Sequence, residues 1–242
     1  MSKQIMKTDR TDKTNDTNRA SKTELVFILD RSGSMSGLES DTVGGYNAMM
    51  ESQRETEGDV IVTTVLFDDR YELLHDRIPL AELRPMAKDE YFVRGSTALI
   101  DAIGRTVKKI ESAQAHTLPG HKAEKTIFVI TTDGLENASC RYRAEEVRKM
   151  VEQKREKEGW EFIFLGANID AVETAEHFGF ARSRAVNYVA DRDGVGLNYK
   201  VVGAAVAGMR CCKDSFSDLE MEDCLAPIAE DHKRRGKAGK EG

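Results

Sequence analysis

Three separate stretches of this sequence carry small oxygen-bearing side chains suited to binding a hard metal ion. The first contributes a carboxylate and two hydroxyls in alternation, the second a hydroxyl and the third a carboxylate. Their members are Asp30, Ser32, Ser34, Thr97 and Asp133. A set of oxygen donors with neither His nor Cys selects Mg²⁺ or Mn²⁺. Because only two members carry a charge, the ion would stay electron-poor and keep water molecules that another ligand can replace.

Buried strands are expected to position two of these stretches. The apolar run at residues 25–29 leads into Asp30, and the hydrophobic run at residues 126–131 leads to Asp133. Runs that are apolar on both faces are typical of central parallel strands. In open α/β sheets, ligands bind at the carboxyl ends of such strands, at the point where the strand order reverses. Ser96 or Thr97 is predicted to cap the helix that follows, which would bring Thr97 to the same edge.

The order of these and the remaining patterns predicts an α/β fold with one doubly wound, Rossmann-like domain. Strands are expected at residues 24–30, 60–67, 71–78, 126–131, 161–167 and 185–189, and helices at residues 38–54, 98–114, 145–158, 170–178 and 195–209. This alternation favours a mostly parallel six-stranded sheet with helices on both faces. One edge strand should be antiparallel, because residues 68–70 are too few for a parallel connection. Asp68 and Asp69 are expected to lie solvated in that turn.

Composition sets the predicted limits of the domain. Residues 1–22 carry almost no apolar side chains and are predicted to be a disordered tail. Residues 23–212 form the predicted domain, and residues 213–242 are predicted to be a loose, charged tail. The longest apolar stretch near the C-terminus, residues 201–209, is too short to span a bilayer. Residues 1–22 do not form a secretory signal, so no membrane association is expected.

Charge and cysteine content limit the classes of partner and compartment. The formal net charge of −6 gives no general reason to expect a nucleic-acid partner. The four cysteines include no C-x-x-C pair, and without a secretory signal they are expected to be reduced thiols. We therefore expect a cytoplasmic protein. The sequence leaves its oligomeric state open.

Taken together, the three stretches resemble the metal-ion-dependent adhesion site (MIDAS) of von Willebrand factor A domains. The motifs are D-x-S-x-S after the first strand, Gly-Ser-Thr-Ala-Leu around Thr97, and Thr-Asp-Gly-x-x-Asn around Asp133. The element order agrees with that family over residues 24–210. Ser96 departs from the pattern, since the family has a second glycine there.

The resemblance implies a role for each of these residues. Ser32 and Ser34 would bind the metal directly, and Thr97 would bind it directly or through water. Asp30 and Asp133 would act mainly through bound waters and hydrogen bonds to the serines. The sixth coordination position would be left for a ligand, and ligand binding would be coupled to movement of the last helix.

Three functions are compatible with these observations to different degrees. The favoured one is a non-enzymatic, Mg²⁺-dependent interaction module that binds the Asp or Glu carboxylate of a partner protein. The second is a subunit of a larger assembly, since intracellular bacterial-type relatives resemble co-proteins of AAA+ ATPases or of stress-response systems such as tellurium resistance. The third is a metal-dependent phosphotransferase or hydrolase with Asp30 as nucleophile. The sequence disfavours this third function because Ser32 stands where the haloacid-dehalogenase pattern has a second Asp, and because no P-loop or G-x-G-x-x-G is present.

Overall fold

The computed structural model describes residues 21–212 and 216–238, which are built around a six-stranded sheet. Its strands are β1 (Lys22–Asp30), β2 (Asp59–Phe67), β3 (Tyr71–Pro79), β4 (Lys125–Thr132), β5 (Glu161–Gly166) and β6 (Ala185–Asn187). They lie in the order β3-β2-β1-β4-β5-β6, and every neighbouring pair is parallel except β2 and β3. The prediction of a mostly parallel, doubly wound sheet with one antiparallel edge strand is confirmed.

Helices cover both faces of this sheet, as predicted. They are α1 (Glu39–Arg54), α2 (Leu99–Ala115), α3 (Ala144–Glu158), α4 (Ala171–His177), α5 (Arg192–Cys211) and α6 (Asp218–Ala238). Successive side chains of a strand point to opposite faces. Leu25, Phe27 and Leu29 of β1 therefore join the core beneath α1 and α5. Val26 and Ile28 join the core beneath α2, α3 and α4. Within the described residues, no helix combines the length and the apolar character needed to cross a membrane.

Strand β3 forms one edge of the sheet and pairs with β2 on one side only. Its register against β2 shifts on either side of Thr64, and Arg77 has a φ of 52°. The Arg77 side chain forms an ion pair with Glu24 of β1, with 2.8 Å between Arg77 Nη2 and Glu24 Oε2. Because Glu24 is 0% exposed, this partner is what allows a carboxylate to lie within the central strand.

The prediction of a loose C-terminal tail is wrong for residues 218–238, which form α6 and pack on the domain. Met221, Leu225 and Ile228 share one face of α6 and are buried in the core next to α5 and β6. Near the end of α6, Arg235 forms an ion pair with Asp191, whose side chain caps α5. Charged residues dominate the composition here, but the helical spacing of the apolar ones decides the structure. The rest of that tail, and residues 1–20 of the predicted N-terminal tail, lie outside the described residues.

Replacing Leu225 by Asp should lower the free energy of unfolding by at least about 3 kcal/mol, because the new carboxylate would be buried without a partner. Leu225 is 3% exposed. The control is Leu219→Asp on the same helix, where the leucine is 69% exposed and a change within about 0.5 kcal/mol is expected. Urea unfolding followed by circular dichroism measures both variants. Equal midpoints would mean that α6 is not part of the cooperatively folding domain.

Candidate metal centre

The five residues predicted to bind metal lie at one edge of the sheet, where β1 and β4 run side by side. Asp30 is the last residue of β1, and Asp133 directly follows β4. The strand order reverses between these two strands, because β2 flanks β1 and β5 flanks β4. Ser32 and Ser34 lie in the loop after β1, and Thr97 lies in the loop before α2. This is the edge at which ligands bind in open α/β sheets.

The Asp30 carboxylate is held from two sides and is 1% exposed. Its Oδ1 accepts a hydrogen bond from the backbone N–H of Ser32 at 2.7 Å. Its Oδ2 accepts one from the hydroxyl of Thr132, at the end of β4, at 2.6 Å. The Tyr91 hydroxyl donates to the backbone carbonyl of Asp30. Asp30 therefore orients the loop that follows it and ties that loop to β4.

A chain of hydroxyl groups joins Ser32 to Asp133. The Oγ atoms of Ser32 and Ser34 are 3.1 Å apart. The Ser34 hydroxyl in turn donates to Asp133 Oδ1. Ser34 is exposed, whereas Ser32 and Asp133 are each 2% exposed. The cluster of oxygen atoms is therefore buried at its base and open to solvent at Ser34.

Gly134 allows Thr97 to join the same cluster. A side-chain carbon on Gly134 would lie 3.3 Å from both Ser34 Oγ and Thr97 Oγ1, so the two hydroxyls converge at this glycine. The Thr97 backbone N–H donates to Asn137 Oδ1 at 2.9 Å, and its carbonyl accepts from the Asn137 N–H at 3.0 Å. The structure thus brings the five predicted residues together. It adds Gly134 and Asn137, both part of the Thr-Asp-Gly-x-x-Asn motif, as residues that position them.

The prediction that Ser96 or Thr97 caps the following helix is wrong. The residue that precedes α2 is Ala98, and no side chain at that position forms a cap. The loop after β4 supplies an acceptor instead, because the Ile100 N–H donates to Glu136 Oε2 at 2.8 Å. An acceptor from a different loop leaves the Thr97 hydroxyl available to the oxygen cluster.

The two carboxylates of the cluster have no positive partner among the described residues. Their hydrogen-bond partners are hydroxyl and backbone N–H groups. Burial raises the pKa of Asp30 against the effect of the bonds from Thr132 and Ser32, and the charge of Asp133 adds to the rise. Burial also raises the pKa of Asp133 against the effect of the bond from Ser34. Two buried negative charges without a cation are destabilising, and a bound cation would offset them.

This arrangement fits a hard divalent cation. Two carboxylates and three hydroxyls supply only oxygen donors, which Mg²⁺ and Mn²⁺ prefer. Because residue 134 is a glycine, no side chain crowds the converging hydroxyls of Ser34 and Thr97. Over residues 21–212 and 216–238, no three His, Cys, Asp or Glu side chains lie close enough together to hold a metal ion. The hydroxyl-rich cluster is the candidate metal site on the chemistry of its own donors.

Asp68 was expected to be solvated and is instead fully buried. Its side chain is 0% exposed and pairs with Arg31 and Arg94. The adjacent Asp69 is exposed, as expected. Arg31 lies within the D-x-S-x-S stretch and is itself 0% exposed. Two adjacent aspartates in a turn carry no local signal of which one meets a distant arginine, so the sequence alone does not predict this contact.

Comparisons with known proteins bear on the fold. No protein-family model and no curated protein matches this chain. The vWF domain of the type V pili tip protein Mfa5 from Porphyromonas gingivalis matches with a TM-score of 0.59 at 10% identity, over 83% of this chain and 100% of that one. The von Willebrand factor type A structure from Catenulispora acidiphila matches with a TM-score of 0.52 at 14% identity, over 78% of this chain and 43% of that one. This chain has a von Willebrand factor A fold.

A third similar structure is that of proximal thread matrix protein 1 from the mussel byssus, solved with a zinc-occupied MIDAS motif. It matches with a TM-score of 0.53 at 18% identity, over 78% of this chain and 46% of that one. This chain therefore spans about half the length of the mussel protein. At these identities the likeness concerns the fold alone. In the von Willebrand factor A fold of this chain, the candidate metal site lies at the carboxyl ends of β1 and β4.

Proposed function

We propose that this chain is a non-enzymatic interaction module that uses Mg²⁺ or Mn²⁺ to bind an Asp or Glu carboxylate of a partner protein. The residues that would hold the metal are Asp30, Ser32, Ser34, Thr97 and Asp133. The observation that carries the proposal is the oxygen cluster, in which two buried carboxylates and three hydroxyls converge while the carboxylates lack a positive partner among the described residues. The zinc in the MIDAS motif of the mussel protein supports a divalent cation here.

The partner is inferred to be acidic from the charge and exposure of the site. Ser34 is the exposed member of the cluster, so a bound ion would be reached from its side. Hydroxyl donors add no charge, and two carboxylates that act mainly through bound waters leave the ion electron-poor and partly hydrated. When bound, the metal supplies the charge that attracts a carboxylate from outside. The hydrogen bonds of Asp30 would keep the protein side of the site in place while water exchanges for that carboxylate.

The surroundings of Asp30 argue against a role as nucleophile. Its two carboxylate oxygens accept hydrogen bonds from the Ser32 N–H and the Thr132 hydroxyl, and the residue is 1% exposed. A nucleophilic carboxylate must reach the substrate, which burial and two hydrogen bonds to the protein make difficult. Asp30 is better placed to orient its neighbours, and we therefore propose binding without catalysis.

We also propose that the module works in the cytoplasm. Cys140 and Cys211 are exposed thiols, and Cys212 and Cys224 are half-buried thiols. Exposed thiols persist where the compartment is reducing. A cytoplasmic location is also compatible with the alternative role as a subunit of an AAA+ ATPase or stress-response assembly.

Ser32→Ala should weaken Mg²⁺ and Mn²⁺ binding at least about 10-fold. Changing a residue that merely supports a metal ligand typically weakens binding by about that factor, and Ser32 is proposed to be a ligand itself. The control is Ser36→Ala, which removes an exposed hydroxyl from the same loop just beyond the motif. Titration calorimetry measures both affinities. The absence of a binding signal for the wild-type protein, or equal loss in the two variants, would contradict the proposed metal site.

The partner is tested by affinity capture from the source cells in Mg²⁺ and in EDTA, with wild-type protein and the Ser32→Ala variant. We expect a protein that is retained by the wild type in Mg²⁺ alone and that is lost when one of its Asp or Glu residues is changed to Asn or Gln. A partner retained equally in EDTA would bind through another surface. That outcome would favour the alternative role as an assembly subunit.

A further inference from the structure

A cluster of ion pairs with a buried centre lies beside the candidate metal site and joins two of its loops. We refer to Arg31, Asp68, Glu72 and Arg94 as the Asp68 cluster. Arg31 Nε donates to Asp68 Oδ2 at 3.1 Å, and Arg94 Nε donates to the same oxygen at 2.6 Å. Arg31 Nη2 also donates to Glu72 Oε2 at 2.7 Å. The side chains of Arg31 and Asp68 are both 0% exposed, so their charges are withdrawn from solvent.

Each arginine of the Asp68 cluster belongs to a loop that carries candidate metal ligands. Arg31 lies within the D-x-S-x-S loop after β1, and Arg94 lies in the loop that leads to Thr97. A single carboxylate oxygen, in the turn between β2 and β3, therefore holds both loops. The other oxygen, Asp68 Oδ1, accepts a hydrogen bond from the Arg70 backbone N–H at 2.6 Å, which fixes the orientation of the carboxylate.

Backbone hydrogen bonds join the same two loops directly. The Arg94 N–H donates to the Arg31 carbonyl at 2.9 Å, and the Gly33 N–H donates to the Gly95 carbonyl at 3.2 Å. These bonds form only while the loops are docked against each other. They set the separation between the loop with the two serine hydroxyls and the loop with the threonine hydroxyl.

Asp68 also balances charge beside a site that suits a cation. Burial favours its protonated form, but the bonds from Arg94 and the Arg70 N–H and the charge of Arg31 outweigh burial and lower the pKa of Asp68 below its ordinary value. Asp68 is therefore ionised at neutral pH. Without its charge, the two guanidinium groups would keep only partly exposed or exposed carboxylates among the described residues, Glu72 at 47% side-chain exposure and, for Arg94, Asp69, and would repel a nearby divalent ion.

We propose that Asp68 is a positioning residue of the metal site, which holds the serine hydroxyls and the Thr97 hydroxyl at the separation that a divalent ion requires. The inference rests on the proposed function, because it concerns the same metal. Asp68 is not itself a ligand and acts through Arg31 and Arg94. Its loss should loosen both loops, and the ion would then be bound by ligands that are no longer preorganised.

The test compares Asp68→Asn with Asp69→Asn, which removes the same charge from the exposed neighbouring residue. Mn²⁺ binding is measured by titration calorimetry on the full chain. The Asp68 variant should bind Mn²⁺ about 10- to 100-fold more weakly, as is typical when a residue that supports metal ligands is changed. The Asp69 variant should stay within about twofold of the wild type, because an exposed charge is screened by salt. Equal affinities for the two variants would overturn the inference.

Hydrogen exchange separates failure of this inference from failure of the proposed function. It is measured in EDTA on the backbone amides of Gly33 and Arg94, which donate the two bonds between the loops, so it needs no metal. Faster exchange at both amides in Asp68→Asn, but not in Asp69→Asn, supports the link between the loops. If exchange is unchanged in Asp68→Asn, the positioning role is overturned. If the wild type nevertheless binds Mn²⁺, the proposed function stands. Absence of wild-type Mn²⁺ binding overturns both.

Arg94→Gln distinguishes positioning from charge and from loss of fold. The Arg94 side chain is 32% exposed, so this variant should fold and should bind Mn²⁺ more weakly than the wild type. The double variant Asp68→Asn/Arg94→Gln restores the charge balance but not the link, and it should bind no more tightly than Asp68→Asn alone. Recovery of wild-type affinity in the double variant would show that charge alone acts. A loss of unfolding free energy in EDTA with unchanged Mn²⁺ affinity would show a merely structural role.

Discussion

Replacement of Asp133 by Asn should abolish divalent-metal binding and at the same time stabilise the metal-free protein. Asp133 is 2% exposed, and its carboxylate accepts a hydrogen bond from the Ser34 hydroxyl. The side-chain carbonyl oxygen of Asn would still accept that bond. The change removes one of two buried negative charges and preserves the shape of the side chain. Relief of that charge should raise the free energy of unfolding in EDTA by roughly 0.5–2 kcal/mol. The remaining carboxylate would be too little charge to hold the ion.

Thermal unfolding with and without Mg²⁺ measures both effects of the Asp133 change. The wild-type Tm should rise when Mg²⁺ is added, because an ion that binds only the folded state stabilises it. The Asn variant should begin at a higher Tm and gain nothing from Mg²⁺. Asp69→Asn, which removes an exposed charge, should respond to Mg²⁺ as the wild type does. A lower Tm for the Asp133 variant in EDTA would contradict the view that the metal-free cluster is destabilised by its own charge.

Arg210→Met should destabilise the domain by about 3 kcal/mol or more. Arg210 lies at the end of α5 and is 3% exposed, and burial lowers the pKa of its guanidinium. In the last turn of α1 it donates to the side-chain Oε1 and the backbone carbonyl of Gln53. Just beyond α1 it donates to the backbone carbonyls of Thr56, Glu57 and Gly58. These acceptors are neutral, and the negative end of the α1 dipole offsets the charge. Methionine would fill the space but leave the carbonyls without a donor.

Urea unfolding tests the Arg210 prediction against two other variants. Arg210→Lys should recover part of the loss, because lysine keeps the charge but not the planar fork that reaches several acceptors. Arg182→Met, at a side chain that is 72% exposed, should change the free energy of unfolding by less than about 0.5 kcal/mol. A loss below about 1 kcal/mol for Arg210→Met would mean that other contacts hold the end of α1.

The sheet and the gathering of the candidate site could be predicted because both depend on local patterns and simple topology. Residues 25–29 are apolar on both faces, and they lie within the central strand β1. The turn at residues 68–70 is so short that the strands it joins can only be antiparallel neighbours. Once β1 and β4 are adjacent, the carboxylates of Asp30 and Asp133 must lie at the same edge.

The features that were missed depend on contacts between distant parts of the chain. In α6, Leu225 and its apolar neighbours are spaced among many charged residues. They are buried only because α5 offers a surface to pack against, which the sequence of α6 itself does not reveal. Asp68 is buried because two arginines from other loops meet it. Thr97 does not cap α2, because Glu136, which is distant in sequence, accepts the hydrogen bond of the Ile100 N–H instead. In each case the partner is set by the tertiary structure.

The irregular edge strand has a consequence for how copies of this protein meet one another. A flat, exposed strand edge offers unpaired N–H and C=O groups to a second sheet, which is a route to aggregation. Three features of β3 interrupt such an edge. They are the shifts in its register opposite Thr64 of β2, the left-handed backbone at Arg77, and the charge of the adjacent Asp76. At the opposite edge, β6 has three residues and is in contact with α6. Both edges are therefore poor templates for strand addition, which protects the protein from growing into sheet-based aggregates.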